Sequence, residues 1–140
     1  MARRRVSSGS PWEGPYGYSR AIVVGNSCWV AGTTDPGPDH RGDPPAQARA
    51  ALGTVERALL EVGFTLADVV RTRMYVTDPA HAAPVAEVHG EVFRDIRPAA
   101  TLVVVSALIE PELLVEIEVD AVRSGAAPRA SRGSARAPRS

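Results

Sequence analysis

Alternating apolar and polar residues near the end of the chain predict a β-strand with two different faces. Over residues 113–122, LLVEIEVDAV, the side chains of a strand point alternately to opposite sides. Valine, isoleucine and alanine therefore share one face, and the carboxylates of Glu116, Glu118 and Asp120 share the other. Whether this acidic row is solvated, covered or catalytic is the first question that the sequence raises.

Similar patterns predict the other strands. Residues 18–32 predict a hairpin, with YSRAIVV and CWVAG joined by a turn at 25–27. In VVRTRMYVT, residues 69–77, apolar positions alternate with Arg71, Arg73 and Tyr75. TLVVVS, residues 101–106, predicts a strand without polar alternation.

Apolar residues that recur every three or four positions predict two helices. The first runs from about Pro45 to Val62, with Gly63 as its C-terminal cap, and the second begins at Asp78-Pro79. The element order is then β-β-α-β-α-β-β. This order predicts an α+β domain with a single sheet and both helices packed on one face.

The sheet face opposite the helices carries the arginines of one strand and the carboxylates of another. Such a face can be solvated, with cross-strand ion pairs that contribute under about 1 kcal/mol each. It can also be covered by another copy of the chain. Trp29, Tyr75 and the apolar strand at 101–105 favour coverage, and hence an oligomer.

Composition narrows the possible chemistry and partners. The 140 residues fit one domain, and the chain has no lysine, which excludes a Schiff-base lysine and pyridoxal-phosphate catalysis. Residues 6–123 hold nine Arg against sixteen Asp and Glu, a net charge of −7, while both ends are basic. Nucleic acid is therefore an unlikely partner for the folded part.

The chain ends, the single cysteine and the spacing of the three histidines suggest a cytoplasmic protein without a bound metal. Cys28 is the only cysteine, and no apolar run is typical of a signal peptide or a membrane span. The three histidines show no metal-ligand spacing. We expect residues 1–11 to form a flexible N-terminal segment and the Arg-, Ala-, Ser- and Pro-rich tail at 124–140 to be disordered.

Four segments, in this order, resemble those of the RidA/YjgF-like (Rid) family: GYSRAIVVGNSCWVAGTT, DVVRTRMYVTD, HGEVFRDIRPAAT and LVEIEVDAV. The resemblance covers residues 12–123 and implies one RidA-like domain with a chorismate-mutase-like fold. It implies a homotrimer with a small-molecule cleft at each subunit interface and no cofactor. The best-known members hydrolyse reactive imino and enamino acids to 2-oxo acids and ammonia.

The resemblance assigns roles to particular positions of this sequence. Glu118 matches the acid that handles water or a proton. Tyr18 matches the tyrosine before the first strand better than Tyr16 does, by counting back from the turn. Ala31 stands at a small hydroxyl position, and His89 stands where the family has an aromatic residue; His89 is either a packing residue or an acid–base group.

The carboxylate clamp of the family is missing. The clamp is an arginine in a Pro-Ala-Arg-Ser-like motif, and Ala100 occupies its position here, followed by Thr101. The chain therefore resembles a divergent subgroup. Arg73 is the first candidate for a replacement clamp, with a salt bridge to Glu116 or Asp120 as the alternative, and Arg97 is the second candidate.

Three functions remain open at this point. The first is a Rid-like hydrolase or deaminase of a small reactive imine, enamine or related metabolite, with weak or no activity on standard 2-imino acids. The second is a non-catalytic ligand-binding or regulatory trimer. The third is an endoribonuclease, which other family members have been linked to and which the acidic body disfavours.

Overall fold

The computed structural model describes residues 2–124, and the tail for which we predict disorder lies outside these residues except for Ser124. Strands are β1 (Arg3–Val6), β2 (Ala21–Val24), β3 (Ser27–Thr33), β4 (Val69–Val76), β5 (Ala99–Val104) and β6 (Val115–Val122). Helices are α1 (Glu13–Tyr16), α2 (Pro44–Glu61) and α3 (Ala82–Phe93), with 3₁₀ turns at Leu66–Asp68 and Pro79–His81.

The strands form one mixed sheet in the order β1-β2-β3-β6-β4-β5. Every neighbouring pair is antiparallel except β4 and β5, which are parallel because α3 connects them as a crossover. The predicted single α+β sheet is thereby confirmed.

Burial alternates along β6 as the sequence predicts. Val115, Ile117, Val119 and Ala121 are buried. They face α2, which packs on β3 and β6, while α3 packs on α2 and β5. The three carboxylates of β6 are half-buried on the other face. The long helices therefore cover one side of the sheet only.

Capping residues set the ends of the helices. The Asp43 side chain accepts a hydrogen bond from the amide of Ala46 at 3.1 Å, which caps the start of α2. Gly63 follows α2 with φ +85°, a conformation that favours glycine. Pro84 lies in the first turn of α3, where a missing amide hydrogen breaks no helical bond.

The N-terminal segment differs from our prediction. Residues 1–11 were expected to be flexible, but Arg3–Val6 pair antiparallel with β2 and form an edge strand. Val6 is buried in the core, whereas the three arginines are exposed. A run of charged residues hides the alternation that identifies a strand, and such charge is common on edge strands because it discourages pairing with other chains.

No described helix, over residues 2–124, is both long and apolar enough to cross a membrane.

A buried glutamine joins two loops to α2. Gln47 is 2% exposed, and its Nε2 donates to the carbonyls of His40 and Glu112 at 3.1 and 2.9 Å. Its Oε1 accepts a hydrogen bond from the amide of Leu114 at 2.8 Å. One side chain thus fixes the loop before α2 and the loop before β6 to the same helix.

Gln47→Leu should reduce the free energy of unfolding by roughly 2–4 kcal/mol, because a leucine of similar size leaves three partly buried backbone groups without their partner. Urea unfolding at a fixed protein concentration measures this loss. Arg49→Leu is the matched control on the same helix, because Arg49 is exposed and, among residues 2–124, its salt bridge is with the exposed Glu91. A loss for Gln47→Leu no larger than that for the control would contradict the structural role.

Candidate active site

Strand register decides which charges meet on the uncovered face of the sheet. In the β4–β6 pair, Arg73 lies opposite Glu118, and Tyr75 lies opposite Glu116. Paired residues point to the same side of a sheet, so arginine, tyrosine and carboxylates form one polar surface.

Glu118 is the best-bonded acid of this surface. Its carboxylate accepts a hydrogen bond from the Tyr75 hydroxyl at 2.8 Å and lies 3.2 Å from Nη1 of Arg73. The same Nη1 lies 3.4 Å from Asp120. The hydrogen bond to Glu118 is the largest cause that raises the pKa of Tyr75. Arg73 therefore pairs with Asp120, one of the two salt-bridge partners that the sequence offered as the alternative to a substrate clamp, and with Glu118 in place of Glu116.

A cavity of about 570 Å³ lies beside the third acid. We call it the Glu116 cavity; its lining residues are Trp12, Tyr16, Tyr18, Arg20, Ala31, Gly32, Thr34, Ile109, Glu110 and Glu116. It brings together two of the sequence-predicted site residues, Tyr18 and Ala31. Glu118 does not line it but lines a second cavity of about 500 Å³, together with Arg73 and Ala31.

Glu116 is half-buried and has no salt bridge among residues 2–124. Burial is the main cause that raises its pKa, the charge of Glu118 raises it further, and Arg20 acts in the opposite direction. A carboxyl group in this state can both hold and release a proton nearer to neutral pH than an ordinary glutamate.

Gly32 makes room for the Glu116 side chain. A Cβ atom at position 32 would overlap Oε2 and crowd Cδ of Glu116. The glutamate can therefore lie against β3 only because residue 32 has no side chain.

Arg20 organises the irregular part of β3. The β3–β6 register shifts between Val30 and Thr33. Nη2 of Arg20 donates to the carbonyls of Ala31 and Gly32 and to Oγ1 of Thr33, at 2.7, 2.8 and 2.7 Å. Its buried Nε has no hydrogen-bond partner among the described residues, and burial lowers its pKa, although an arginine stays charged at neutral pH.

Two aromatic rings form one wall of the cavity. Trp12 and Tyr16 stack with ring centroids 5.5 Å apart and planes 12° from parallel. They are 57% and 73% exposed, so their faces are accessible to a ligand in the single chain. Nearby, the Tyr18 hydroxyl donates to Oγ of Ser10 at 3.2 Å. Both tyrosines that the sequence offered therefore line the same cavity.

The remaining predicted site residues lie at the other end of the sheet. Thr101 is on the edge strand β5, where its hydroxyl accepts a hydrogen bond from Nη2 of Arg71 at 2.6 Å. Ala100 pairs with Thr72, and Oγ1 of Thr72 lies 2.8 Å from Nε2 of His89. Within one chain, β4 and β6 separate these residues from β3 and the Glu116 cavity.

His89 has the contacts of a packing residue. Its ring lies 4.7 Å from that of Phe93, and burial lowers its pKa, which favours the neutral imidazole. Arg97 has φ +58°, a left-handed conformation that is costly for a residue with a side chain. His89 and Arg97 line a separate cavity of about 410 Å³. Arg97 therefore does not line the Glu116 cavity of its own chain.

Sequence reasoning did not assign a role to either of the two ionisable residues of the cavity whose pKa is shifted, Arg20 and Glu116. It treated Glu116 as a surface or interface pair and did not consider Arg20. The signal for Glu116 was available in part, because a glycine on the facing strand is typical of close approach by another group. Arg20 precedes a strand and gave no such signal.

No group of three or more His, Cys, Asp or Glu residues in the described part of the chain could hold a metal ion.

The fold and the cavity define a class of small one-sheet α+β proteins. Comparison with known families gives the same class: the sequence model of the family described as Endoribonuclease L-PSP matches residues 13–123. The chain therefore belongs to the Rid/YjgF/L-PSP (RutC) family, a family of reactive-intermediate deaminases.

Individual relatives agree with this assignment. A RutC family protein from Pyrococcus horikoshii is 36% identical over 110 residues, which cover 76% of this chain and 86% of the relative. The crystal structure of a YjgF/YER057c/UK114 family member from Mycobacterium tuberculosis is 52% identical, with a TM-score of 0.81 over 87% of this chain and 100% of that one. The structure of the Rid family protein YyfA from Yersinia pestis is 28% identical, with a TM-score of 0.74 over 87% and 100%.

Glu116→Gln should stabilise the protein more at about pH 7 than at about pH 4. The folded state raises the pKa of Glu116, so ionisation favours the unfolded chain. The wild type therefore loses stability as the pH rises from the unfolded pKa through the folded pKa, and a neutral amide removes this loss. Urea unfolding at the two pH values measures the difference.

Glu91→Gln on the exposed face of α3 is the control for this measurement, because it removes a carboxylate that is half exposed and outside the sheet. A stability difference between Glu116→Gln and wild type that stays constant or shrinks with rising pH would contradict the raised pKa.

Proposed function

We propose that this protein hydrolyses a small reactive imine or enamine at the Glu116 cavity, releasing ammonia or an amine. One observation carries the proposal: in a chain of a deaminase family, the cavity contains a half-buried glutamate with a raised pKa and no ion-pair partner among residues 2–124.

Imine hydrolysis places two demands on an acid. The imine nitrogen must be protonated, and a water molecule must lose a proton as its oxygen bonds to the imine carbon. The resulting carbinolamine then loses ammonia, and the carbonyl forms. A carboxyl group whose pKa is raised is better suited to both steps than an ordinary glutamate, and burial raises the pKa of Glu116.

This proposal moves the acid–base role from Glu118 to Glu116. Sequence resemblance assigned the role to Glu118, whose carboxylate accepts hydrogen bonds from Tyr75 and Arg73. In the proposal Glu118 acts indirectly, since its charge helps to raise the pKa of Glu116. Tyr18 and Ala31 contribute to the wall that holds the substrate.

Standard 2-imino acids should be poor substrates, because Ala100 cannot bind their carboxylate. Loss of one charged, hydrogen-bonded contact costs about 2–5 kcal/mol. Arg73, the first candidate for a replacement, already lies within hydrogen-bond distance of Glu118 and Asp120. A substrate carboxylate would have to compete with both.

We further propose a homotrimer in which β5 of one subunit approaches the Glu116 cavity of the next. This arrangement would unite Ala100 and Thr101 with the cavity. It is supported by family membership and by exposed apolar side chains on β3, β5 and β6, which a partner would cover: Trp29, Val103, Val104 and Val122.

The missing clamp also favours a second candidate, a ligand-binding trimer without catalysis. In that case Glu116 would contribute to ligand affinity only. Turnover separates the two functions.

Wild-type protein should hydrolyse freshly generated 2-iminobutanoate slowly or not at all, and Ala100→Arg should gain at least about tenfold, because a bidentate arginine restores the carboxylate contact. An ammonia-coupled assay measures both rates. Ala100→Leu is the control for added volume without charge. Rapid hydrolysis of 2-iminobutanoate by the wild type would show that another residue binds the carboxylate. It would also remove the reason for expecting an altered substrate.

On any imine that the wild type hydrolyses, Glu116→Gln should lower kcat by about 10²–10⁴-fold, because the amide cannot exchange the proton. Glu118→Gln should have a smaller effect, and Arg73→Ala should leave substrate affinity unchanged. Equal losses in the two glutamate variants, or a larger loss in Glu118→Gln, would return the acid–base role to Glu118. Binding without turnover in the wild type would support the non-catalytic trimer.

A further inference from the structure

The ionisable residues that line the Glu116 cavity are unusual for a site that would bind an anionic ligand. Two carboxylates, Glu110 and Glu116, and one arginine, Arg20, line it. Nη2 of Arg20 is engaged by three acceptors of β3. The charged lining therefore has more negative than positive groups, and Glu116 has no salt bridge among residues 2–124.

The aromatic wall adds a second, independent preference. Trp12 and Tyr16 line the cavity and stack on each other, so the ring faces open to a ligand are the outer ones that the stack leaves uncovered. The face of an aromatic ring is negative, so it attracts cations, and a flat wall accepts a planar group. A carboxylate without a salt bridge among residues 2–124 and an aromatic face both favour positive charge in the ligand.

We infer that the Glu116 cavity selects planar cationic ligands, namely protonated imines or related nitrogen cations that carry no carboxylate beside the C=N bond. This inference deepens the proposed function and rests on the same site. Glu116 supplies the counter-charge, and Trp12 with Tyr16 supplies the flat surface.

A cationic substrate is consistent with the chemistry of hydrolysis. The protonated imine accepts the oxygen of water at carbon, and the C–N bond breaks as the carbonyl forms. The balance is iminium plus water giving a neutral carbonyl compound plus ammonium. The positive charge leaves with the nitrogen, so the carbonyl product no longer interacts favourably with Glu116 and is released.

Three stable probes with the same planar ring test the inference directly: N-methylpyridinium as cation, pyridine as uncharged ring and benzoate as anion. Calorimetric or NMR titration of the full chain near neutral pH should show N-methylpyridinium binding at least about tenfold more tightly than benzoate. Pyridine should lie between them.

Variants then assign the preference to residues. Glu116→Gln should reduce the affinity for N-methylpyridinium by about tenfold and leave pyridine binding nearly unchanged, because only the charge interaction is removed. Trp12→Leu, at an exposed position, should also weaken cation binding. Glu91→Gln on α3 is the control and should change neither, since it removes an equal charge away from the cavity.

Tighter binding of benzoate than of N-methylpyridinium would overturn the inference and would indicate that arginines of a neighbouring subunit supply the charge. A cation preference that survives Glu116→Gln, or no binding of any probe, would also overturn it. Because these probes are not hydrolysed, the outcome is separate from the proposed function. Cation selectivity without turnover of any imine would support the inference and refute the hydrolase.

Discussion

Three carboxylates stand on one face of β6 at alternate positions, and a single arginine, Arg73, bonds two of them. Alternate residues of a strand are about 6.6–6.8 Å apart, close enough for each charge to affect the next when water is partly excluded. Glu118 and Asp120 share the arginine, and Glu116 is left at the end of the row. The candidate chemistry depends on this imbalance, because Glu116 has no salt bridge among residues 2–124 and burial raises its pKa.

The opposite wall of the cavity depends on the irregular end of β3. Gly32 lets the Glu116 side chain lie against the strand, and the register shift leaves carbonyls that Arg20 satisfies. An arginine used in this way stabilises the backbone and at the same time places a positive charge near Glu116, which limits how far the pKa of that acid rises. Fold stability and acid strength are therefore linked through one side chain.

The sequence predicted the two long helices, the hairpin and the face on which each strand residue lies, because these follow from local periodicity. It could not predict the offset between β4 and β6. A register slip of one residue between β4 and β6 would turn every side chain to the wrong face, so the hydrophobic pattern excludes it. A slip of two residues preserves both faces and exchanges Glu116 for Glu118 opposite Arg73. For that reason the pattern placed the acids on one strand face but could not rank them, and the choice of Glu118 came from family resemblance; in the structure Glu116 and Glu118 line two different cavities. The β1 strand was missed because three arginines mask its alternation.

The attachment of two loops to Gln47 has a consequence for how this protein family can diversify. The segment between β5 and β6 carries Ile109, which is 88% exposed and lines the Glu116 cavity, yet its far end is fastened to α2 through Leu114. Substitutions at the tip of this segment alter the mouth of the pocket without disturbing the sheet or its core. New ligand preferences can therefore arise from a few mutations at the rim. The residues that stabilise the fold are left unchanged by those mutations.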